Sequence, residues 1–271
     1  HAATGFYCSG FDEALCLVID GVGSSWTWQE SFVSLSETTS IIYMTQDYSK
    51  TLYKNLYYKL AGPALMGWSD SQIASARKSF KHNVDISQHI DIGKMYGTIA
   101  RHVGFKSALD AGKVMGLAGY GEPNNLPPML IDGTIISDAN VFKNDSQLNT
   151  FLYPQLSNPS DEVKRNLAYN VQKALEKIFV ARVQQALELK PCKNLVLGGG
   201  CALNIIGNSV IKQKFPELNI YVEPIAADTS QSLGAALYHY KREFPLTKFK
   251  VLKDLYLGPE YSIMDVKQKL Q

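Results

Sequence analysis

The sequence predicts an α/β fold, and three observations support this. Short apolar runs such as Glu13–Asp20 and Lys193–Leu197 have the length of buried strands. Longer segments carry apolar residues at helical spacing, and in the second half helices and strands alternate, as in sheets with parallel neighbours. With 271 residues, 45% hydrophobic and 19% charged, the chain is long enough for one large or two smaller globular domains.

The first half is predicted to mix strands and helices. The predicted strands are Glu13–Asp20 and Ile41–Thr45. The predicted helices are Tyr48–Leu60, Ser71–Phe80 with Ser69–Asp70 as its cap, and Ile90–Val103, which should pack on the sheet. The remaining segments are predicted to be a loop at Pro123–Pro128, a strand pair over Met129–Ile136 turning at Asp132–Gly133, and a turn-rich stretch over Asn144–Ser160.

The second half is predicted to begin with the clearest helix, Asp161–Leu189, whose apolar residues recur at near-helical spacing. The elements expected after it are a strand at Lys193–Leu197, a helix at Ala202–Lys214, a strand at Asn219–Val222, a helix at Ser230–Phe244 and a helical C-terminal segment. Because the chain starts at His1 and stops in that last helix, we expect it to be a piece of a longer protein.

Composition excludes several classes. The formal charge of +2, from 27 basic and 25 acidic residues without long like-charge blocks, argues against nucleic-acid binding. The sequence contains no apolar run of about 18 residues, so it predicts no membrane span. It also shows no signal peptide. The four cysteines show no CxxC spacing, which favours a reducing compartment and argues against a zinc module. We therefore expect a cytoplasmic protein.

Two glycine-containing motifs follow predicted strands. Asp20, Gly21 and Gly23 end the first strand, where a carboxylate can hold a cation and glycines let backbone N–H groups approach phosphate; the alternative is an ordinary Asp-Gly turn. Gly198, Gly199 and Gly200 lead into a predicted helix carrying Asn204, a candidate anion or nucleotide site. The alternative there is a tight strand-to-helix turn.

Two further segments carry candidate residues. Asp228 opens the helix at residues 230–244 and is either functional or a simple helix cap. Lys113 lies within Ala111–Gly121, where four glycines suit a backbone wrapped around a ligand or a plain loop. The four histidines after His1 are expected to be structural or solvated rather than catalytic: His82, His89, His102 and His239.

Five motifs in order resemble the O-carbamoyltransferase family, which contains nodulation-type and antibiotic-tailoring enzymes. They are His1–Phe11 (HAATGFYCSGF), Val18–Gly21 (VIDG), Gly112–Gly121 (GKVMGLAGYG), Gly199–Asn204 (GGCALN) and Asp228–Leu237 (DTSQSLGAAL). Four residues depart from the family pattern, and these departures bear on the acceptor and on the nucleotide fit: Ser24, Cys201, Thr229 and Ser230.

The resemblance implies a metal centre and a nucleotide cleft. His1 matches the second histidine of the family's HxxxH pair, whose first histidine would lie upstream of this chain. Asp20 and Asp228 match its aspartates, so these three residues are expected to hold a divalent metal, with Fe²⁺ preferred. The residues expected to bind the nucleotide are Gly21, Gly23, Gly198, Gly199, Gly200 and Asn204, and we add Lys113 as a partner for anionic charge.

The resemblance also implies an actin-like, sugar-kinase-like and heat-shock-chaperone-like fold of two lobes, incomplete here at both ends. Residues 1–150 would complete the first lobe with a family-specific insertion, residues 151–250 would form the second lobe, and residues 251–271 would lead to a C-terminal adenylate-forming (YrdC-like) domain. That partner domain would make carbamoyl adenylate from ATP and carbamoyl phosphate.

The resemblance implies that Asp20 and Asp228 serve the transfer of a carbamoyl group from carbamoyl adenylate to a hydroxyl of a small molecule. Two other functions stay open: a sugar-kinase-like or acetate-kinase-like enzyme of the same superfold, and a non-catalytic nucleotide-binding or scaffolding relative. The identity of the acceptor and the oligomeric state are not readable from the residues.

Overall fold

A computed structural model of the chain describes residues 1–28, 33–60, 69–87, 90–126, 128–131, 135–136, 142–144, 147–148, 150, 153–256 and 258–270. Its strands are β1 (Glu13–Ile19), β2 (Ser25–Trp28), β3 (Val33–Thr45), β4 (Ser49–Leu60), β5 (Asn83–Ser87), β6 (Leu130–Ile131), β7 (Ile135–Ile136), β8 (Phe142–Asn144), β9 (Gln147–Leu148), β10 (Asn194–Gly198) and β11 (Asn219–Val222). Its helices are α1 (Ala2–Ser9), α2 (Asp70–Lys78), α3 (Ile92–His102), α4 (Ala111–Ala118), α5 (Asp161–Leu189), α6 (Ile205–Lys214), α7 (Gln231–Glu243) and α8 (Ile263–Leu270).

The main sheet has seven strands in the order β11-β10-β1-β3-β4-β5, and β2 pairs with β3 outside this path. The central strand β1 runs parallel to β10 and antiparallel to β3. Since β10 also runs parallel to β11, three neighbouring strands end at the same edge of the sheet. That edge is where an open α/β sheet holds its ligands.

Helices cover both faces of this sheet. Along β1, Leu15 and Leu17 join the large core formed with α3 and α5, while Ala14 and Cys16 join a smaller cluster with Phe6 of α1. Alternate residues of a strand point to opposite faces, and both faces are apolar, so β1 is buried on both sides. Cys16 and Cys201 are free thiols whose pKa is raised by burial.

Most predicted elements are confirmed, and three agree closely with the structure. The helix Asp161–Leu189 and the strand Asn219–Val222 have the predicted bounds, and β1 ends one residue before the predicted end. Ser69 caps α2 by accepting a hydrogen bond from the Gln72 N–H, and the Gln72 side chain accepts one from the Ser69 N–H. The strand pair near residues 130–136 is present as β6 and β7, but its predicted turn at Asp132–Gly133 lies outside the described residues.

The predicted helix over Tyr48–Leu60 is wrong, because this segment forms strand β4. Leu56 and Tyr58 pack in a cluster on one face, whereas Tyr53 and Tyr57 join the main core on the other. Burial of both faces removes the alternation of apolar and polar residues that would indicate a strand. The apolar residues of this segment also recur at intervals of four, which is the spacing of a helix face.

The main sheet takes strands from both sides of residue 150, where two lobes were predicted to divide. β1 and β10 pair directly, so the described residues do not place one sheet in each predicted range. The division into lobes, the insertion and the linker over residues 251–271 stay predictions. Among the described residues no helix is long and apolar enough to cross a membrane.

Candidate functional site

Three segments meet where the parallel strands end. Asp20 follows β1, Gly198 ends β10, and Glu223 follows β11. His1 lies beside them because helix α1, which it precedes, packs against β10 and α7. Asp228 comes from the short 3₁₀ turn that leads into α7. The fold thus collects one imidazole and three carboxylates from parts of the sequence more than 200 residues apart.

His1, Asp20 and Asp228 form a cluster whose potential ligand atoms all lie within 4.8 Å of one another. The His1 Nε2 atom is 3.3 Å from Asp20 Oδ2 and 3.6 Å from Asp228 Oδ1. The side chains of His1 and Asp20 are partly buried, and that of Asp228 is exposed. The site is therefore closed on the protein side and open toward solvent at Asp228.

The other nitrogen of the ring faces the protein interior. His1 Nδ1 lies 3.3 Å from the Ser230 hydroxyl and 3.7 Å from Glu223 Oε2. The carboxylates raise the pKa of His1 to about 10, chiefly through Asp20 and then Glu223, although burial alone would lower it. At neutral pH the metal-free ring therefore carries a positive charge between two carboxylates.

The glycine turn after β10 lies against this cluster. A Cβ atom on Gly198 would lie 3.5 Å from His1 Cβ, and one on Gly199 would lie 2.5 Å from the Ile19 carbonyl oxygen. Gly199 also has a φ of +81°, a left-handed conformation that favours glycine. A Cβ on Gly200 would lie 3.2 Å from Asp20 Oδ1. The glycines of this turn thus allow the end of β10 to lie close to the end of β1.

A cleft of about 690 Å³ opens in front of the cluster. Its lining includes His1, Asp20, Gly23, Glu37, Thr38 and Asp228. On the wall formed by β3, the Glu37 carboxylate lies 2.7 Å from the Lys54 ammonium and accepts a hydrogen bond from the Ser40 hydroxyl. The cleft therefore has polar groups both at the His1 cluster and on the wall formed by β3, as expected of a ligand site.

Both simple alternatives for the two aspartates are ruled out. The Asp20–Gly21 segment does not connect a hairpin, because the next strand, β2, pairs with β3 and not with β1. The Asp228 side chain makes no capping hydrogen bond to the start of α7; its Oδ1 accepts one from the Gln231 side chain at 2.8 Å. The Gly21 N–H donates to Asp20 Oδ1 at 2.6 Å and so holds that carboxylate in place.

Two predicted site residues lie elsewhere. Asn204 is buried, caps α6 by accepting from the Gly207 N–H, and exchanges hydrogen bonds with Gln172. Its polar atoms are thus already used within the core. The Lys113 ammonium lies 2.7 Å from Asp110 and is largely exposed. Neither residue lines the cleft, and neither do Gly21 and the turn Gly198–Gly200. The predicted roles of all these residues in nucleotide binding stay predictions.

Several residues of the site were not singled out from the sequence. Glu223 follows an apolar strand directly, as Asp20 does, so the same pattern could have identified it. Gly93 also went unnoticed: a Cβ there would lie 2.7 Å from the Asp20 carbonyl, so only glycine lets α3 approach this turn. Glu37 lies inside a long strand, and nothing in its local sequence indicates the cleft.

Sequence comparisons place this chain in a known family. The family model described as "Carbamoyltransferase N-terminus" matches residues 1–237. The chain is 26% identical to the uncharacterized protein sll1178 of Synechocystis over 292 residues, covering 100% of this chain and 41% of that protein. It is 24% identical to the nodulation protein NolO of Bradyrhizobium diazoefficiens over 266 residues, covering 96% of this chain and 41% of NolO.

The fold has a counterpart among solved structures. The crystal structure of T. kodakarensis HypF superimposes with a TM-score of 0.52 at 16% identity, over 92% of this chain and 37% of that one. This likeness concerns the mixed α/β fold alone. The chain spans about two fifths of the length of the curated relatives described above. The family match over most of the chain is decisive, and we conclude that this chain belongs to the carbamoyltransferase family, of which residues 1–237 match the N-terminal domain.

Proposed function

We propose that this chain transfers a carbamoyl group from carbamoyl adenylate to a hydroxyl of a small molecule, within the cleft beside His1. The observation that carries the proposal is the convergence of His1, Asp20 and Asp228 on one side of that cleft. Family membership supports carbamoyl transfer in general. The carbamoyl donor, the metal and the class of acceptor are the parts that we add.

The residues present suit a divalent metal ion. One imidazole nitrogen and two carboxylates within 4.8 Å of one another form a mixed nitrogen and oxygen donor set, as transition metals prefer. His1 Nε2, Asp20 and Asp228 would hold the ion, and Fe²⁺ is our preferred candidate. When bound, such an ion supplies Lewis-acid polarisation of an oxygen of the carbamoyl or phosphate group.

The protein's own contribution is to bind and orient the two substrates. We expect the adenylate phosphate to lie near Gly23, which lines the cleft beside Asp20. The polar wall with Glu37 and Ser40 would offer hydrogen-bond partners to a hydroxyl-bearing acceptor. Holding both reactants in one cleft converts a bimolecular step into an effectively intramolecular one.

The proposed transfer balances without an oxidant or reductant. The acceptor oxygen forms a bond to the carbamoyl carbon, and the bond from that carbon to the phosphate oxygen of AMP breaks. The hydroxyl proton is released, and AMP leaves with the electron pair of the broken bond. Synthesis of the adenylate is assigned to a separate domain, since the chain covers only part of its relatives' length.

The proposal is tested by calorimetric titration of AMP into the chain under anaerobic conditions, with and without Fe²⁺. We expect AMP binding that depends on Fe²⁺ and is lost in Asp228→Ala. The matched control is Asp47→Ala, an exposed aspartate after β3, at the opposite end of the sheet from Asp20. Tight ATP binding that needs only Mg²⁺ would instead favour a kinase, and no nucleotide binding would favour a scaffolding relative.

A further inference from the structure

Glu223 is a buried carboxylate for which the mechanism above has no use. Its side chain is 0% exposed, and neither carboxylate oxygen has a hydrogen-bond partner among the residues that the structure describes. Burying a charge without a partner costs several kcal/mol, so such a group needs a compensating interaction. In the described part of the chain, the ionisable nitrogen near it is His1 Nδ1, at 3.7 Å from Oε2.

The two nitrogens of the His1 ring face different surroundings. Nε2 points to the cleft, toward Asp20 and Asp228, while Nδ1 points to the interior, toward Glu223 and Ser230. A neutral imidazole can bind a metal through only one nitrogen while the other carries the hydrogen. Histidines that bind metals almost always donate that second N–H to a carboxylate, a carbonyl or water.

We propose that Glu223 is the positioning residue of His1: it accepts the Nδ1 hydrogen, and so presents the Nε2 lone pair to a divalent cation shared with Asp20 and Asp228. This inference rests on the metal site of the proposed function. The distance of 3.7 Å is longer than a hydrogen bond, and we expect it to shorten when the cation replaces the Nε2 hydrogen. The negative charge of the buried Glu223 carboxylate would also favour binding of the cation.

Ser230 is the competing acceptor for the same hydrogen. Its hydroxyl lies nearer to Nδ1, at 3.3 Å, and is equally buried. A hydroxyl is neutral, however, and does not compensate the buried charge of Glu223. The two side chains therefore make different predictions: the carboxylate should dominate metal affinity, and the loss of the hydroxyl should have a smaller effect.

The test is a calorimetric titration of Co²⁺ into the 271-residue chain and its variants at one pH. We expect Glu223→Gln to bind Co²⁺ about 10- to 100-fold more weakly, the usual effect of losing an outer-shell partner. Glu223→Asp should recover part of this loss, and Ser230→Ala should lose less than tenfold. The matched control is Glu176→Gln, the same change at a buried glutamate paired with Lys173 and Gln172.

A spectroscopic readout separates positioning from a general structural effect. In the Zn²⁺-loaded wild-type chain, the ¹H–¹⁵N spectrum of the His1 ring should show a hydrogen on Nδ1 and none on Nε2. A hydrogen on Nε2 would overturn the inference, and so would equal Co²⁺ affinities for wild type and a folded Glu223→Gln. Equal affinities leave the proposed function standing. A hydrogen on Nε2 contradicts the ligand atom that the proposed function assigns to His1, and a wild-type chain that binds neither ion contradicts the proposed function and this inference with it.

Discussion

Two buried carboxylates of this molecule differ sharply in their surroundings. Asp91, at the start of α3, accepts hydrogen bonds from the hydroxyls of Thr38 and Thr39, from the Asn55 amide and from the Ile92 N–H, at 2.6–3.0 Å. Glu223, at the end of β11, accepts none within the described part of the chain. Both side chains are almost completely buried.

The difference indicates what each carboxylate does. A buried charge whose oxygens are all satisfied stabilises the local fold and is costly to remove. Glu223 accepts no hydrogen bond within the described residues, and its nearby counter-charge is the His1 ring, 3.7 Å away at the cleft. We therefore interpret the Asp91 network as structural support for the cleft wall and the Glu223 cluster as preparation for a ligand.

The largest expected effect is the destabilisation caused by Asp91→Ala. The substitution leaves two hydroxyls, one amide and one backbone N–H without their acceptor, so we expect the free energy of unfolding to fall by about 3 kcal/mol. Urea unfolding followed by circular dichroism measures this change. Asp91→Asn, which keeps one oxygen acceptor, should lose clearly less, and equal stability of Asp91→Ala and wild type would contradict the structural interpretation.

A smaller effect is expected from pH on the metal-free chain. The pKa of His1 rises from an ordinary 6.5 to about 10 in the folded state. Its contribution to stability is therefore complete below pH 6.5 and is lost as the pH rises toward 10. One proton gives a slope of at most about 1.4 kcal/mol per pH unit.

This pH dependence is measured by urea unfolding between pH 6.5 and 10 with EDTA present. The free energy of unfolding of the wild-type chain should decline over this range. His1→Gln, which has no group to titrate at this position, should decline less. Parallel curves for the two proteins would show that Asp20 and Glu223 do not hold a charged His1 in the folded state.

The elements predicted correctly from the sequence are mostly those in which a single pattern of apolar residues dominates. Helix α5 has a long amphipathic pattern with Ser160 as its cap, and its bounds were predicted correctly. Strand β4 was mistaken for a helix because both of its faces are buried. The register of β3 against β4 also shifts between Glu37 and Thr39 and again between Ile41 and Ile42, and such irregularities are set by the neighbouring strand and not by local sequence.

The site was predictable to the extent that its residues lie in motifs. Asp20 and Asp228 were candidates from their positions after a strand and before a helix, and the family resemblance added His1 and joined the three as a metal set. The fold brings all three together. Asn204 also lies in a motif, but the structure uses it to cap a helix and to complete a buried network. Residue type alone does not show whether a buried amide faces the core or the cleft, because that depends on packing between distant elements.

The central claim is that His1, Asp20 and Asp228 form a metal site. Anomalous diffraction at the cobalt absorption edge, from crystals of the chain grown with Co²⁺, tests it most directly. The account predicts one strong anomalous peak within bonding distance of His1 Nε2 and of both aspartate carboxylates. A peak elsewhere on the molecule, or none in a well-ordered cleft at saturating Co²⁺, would contradict it.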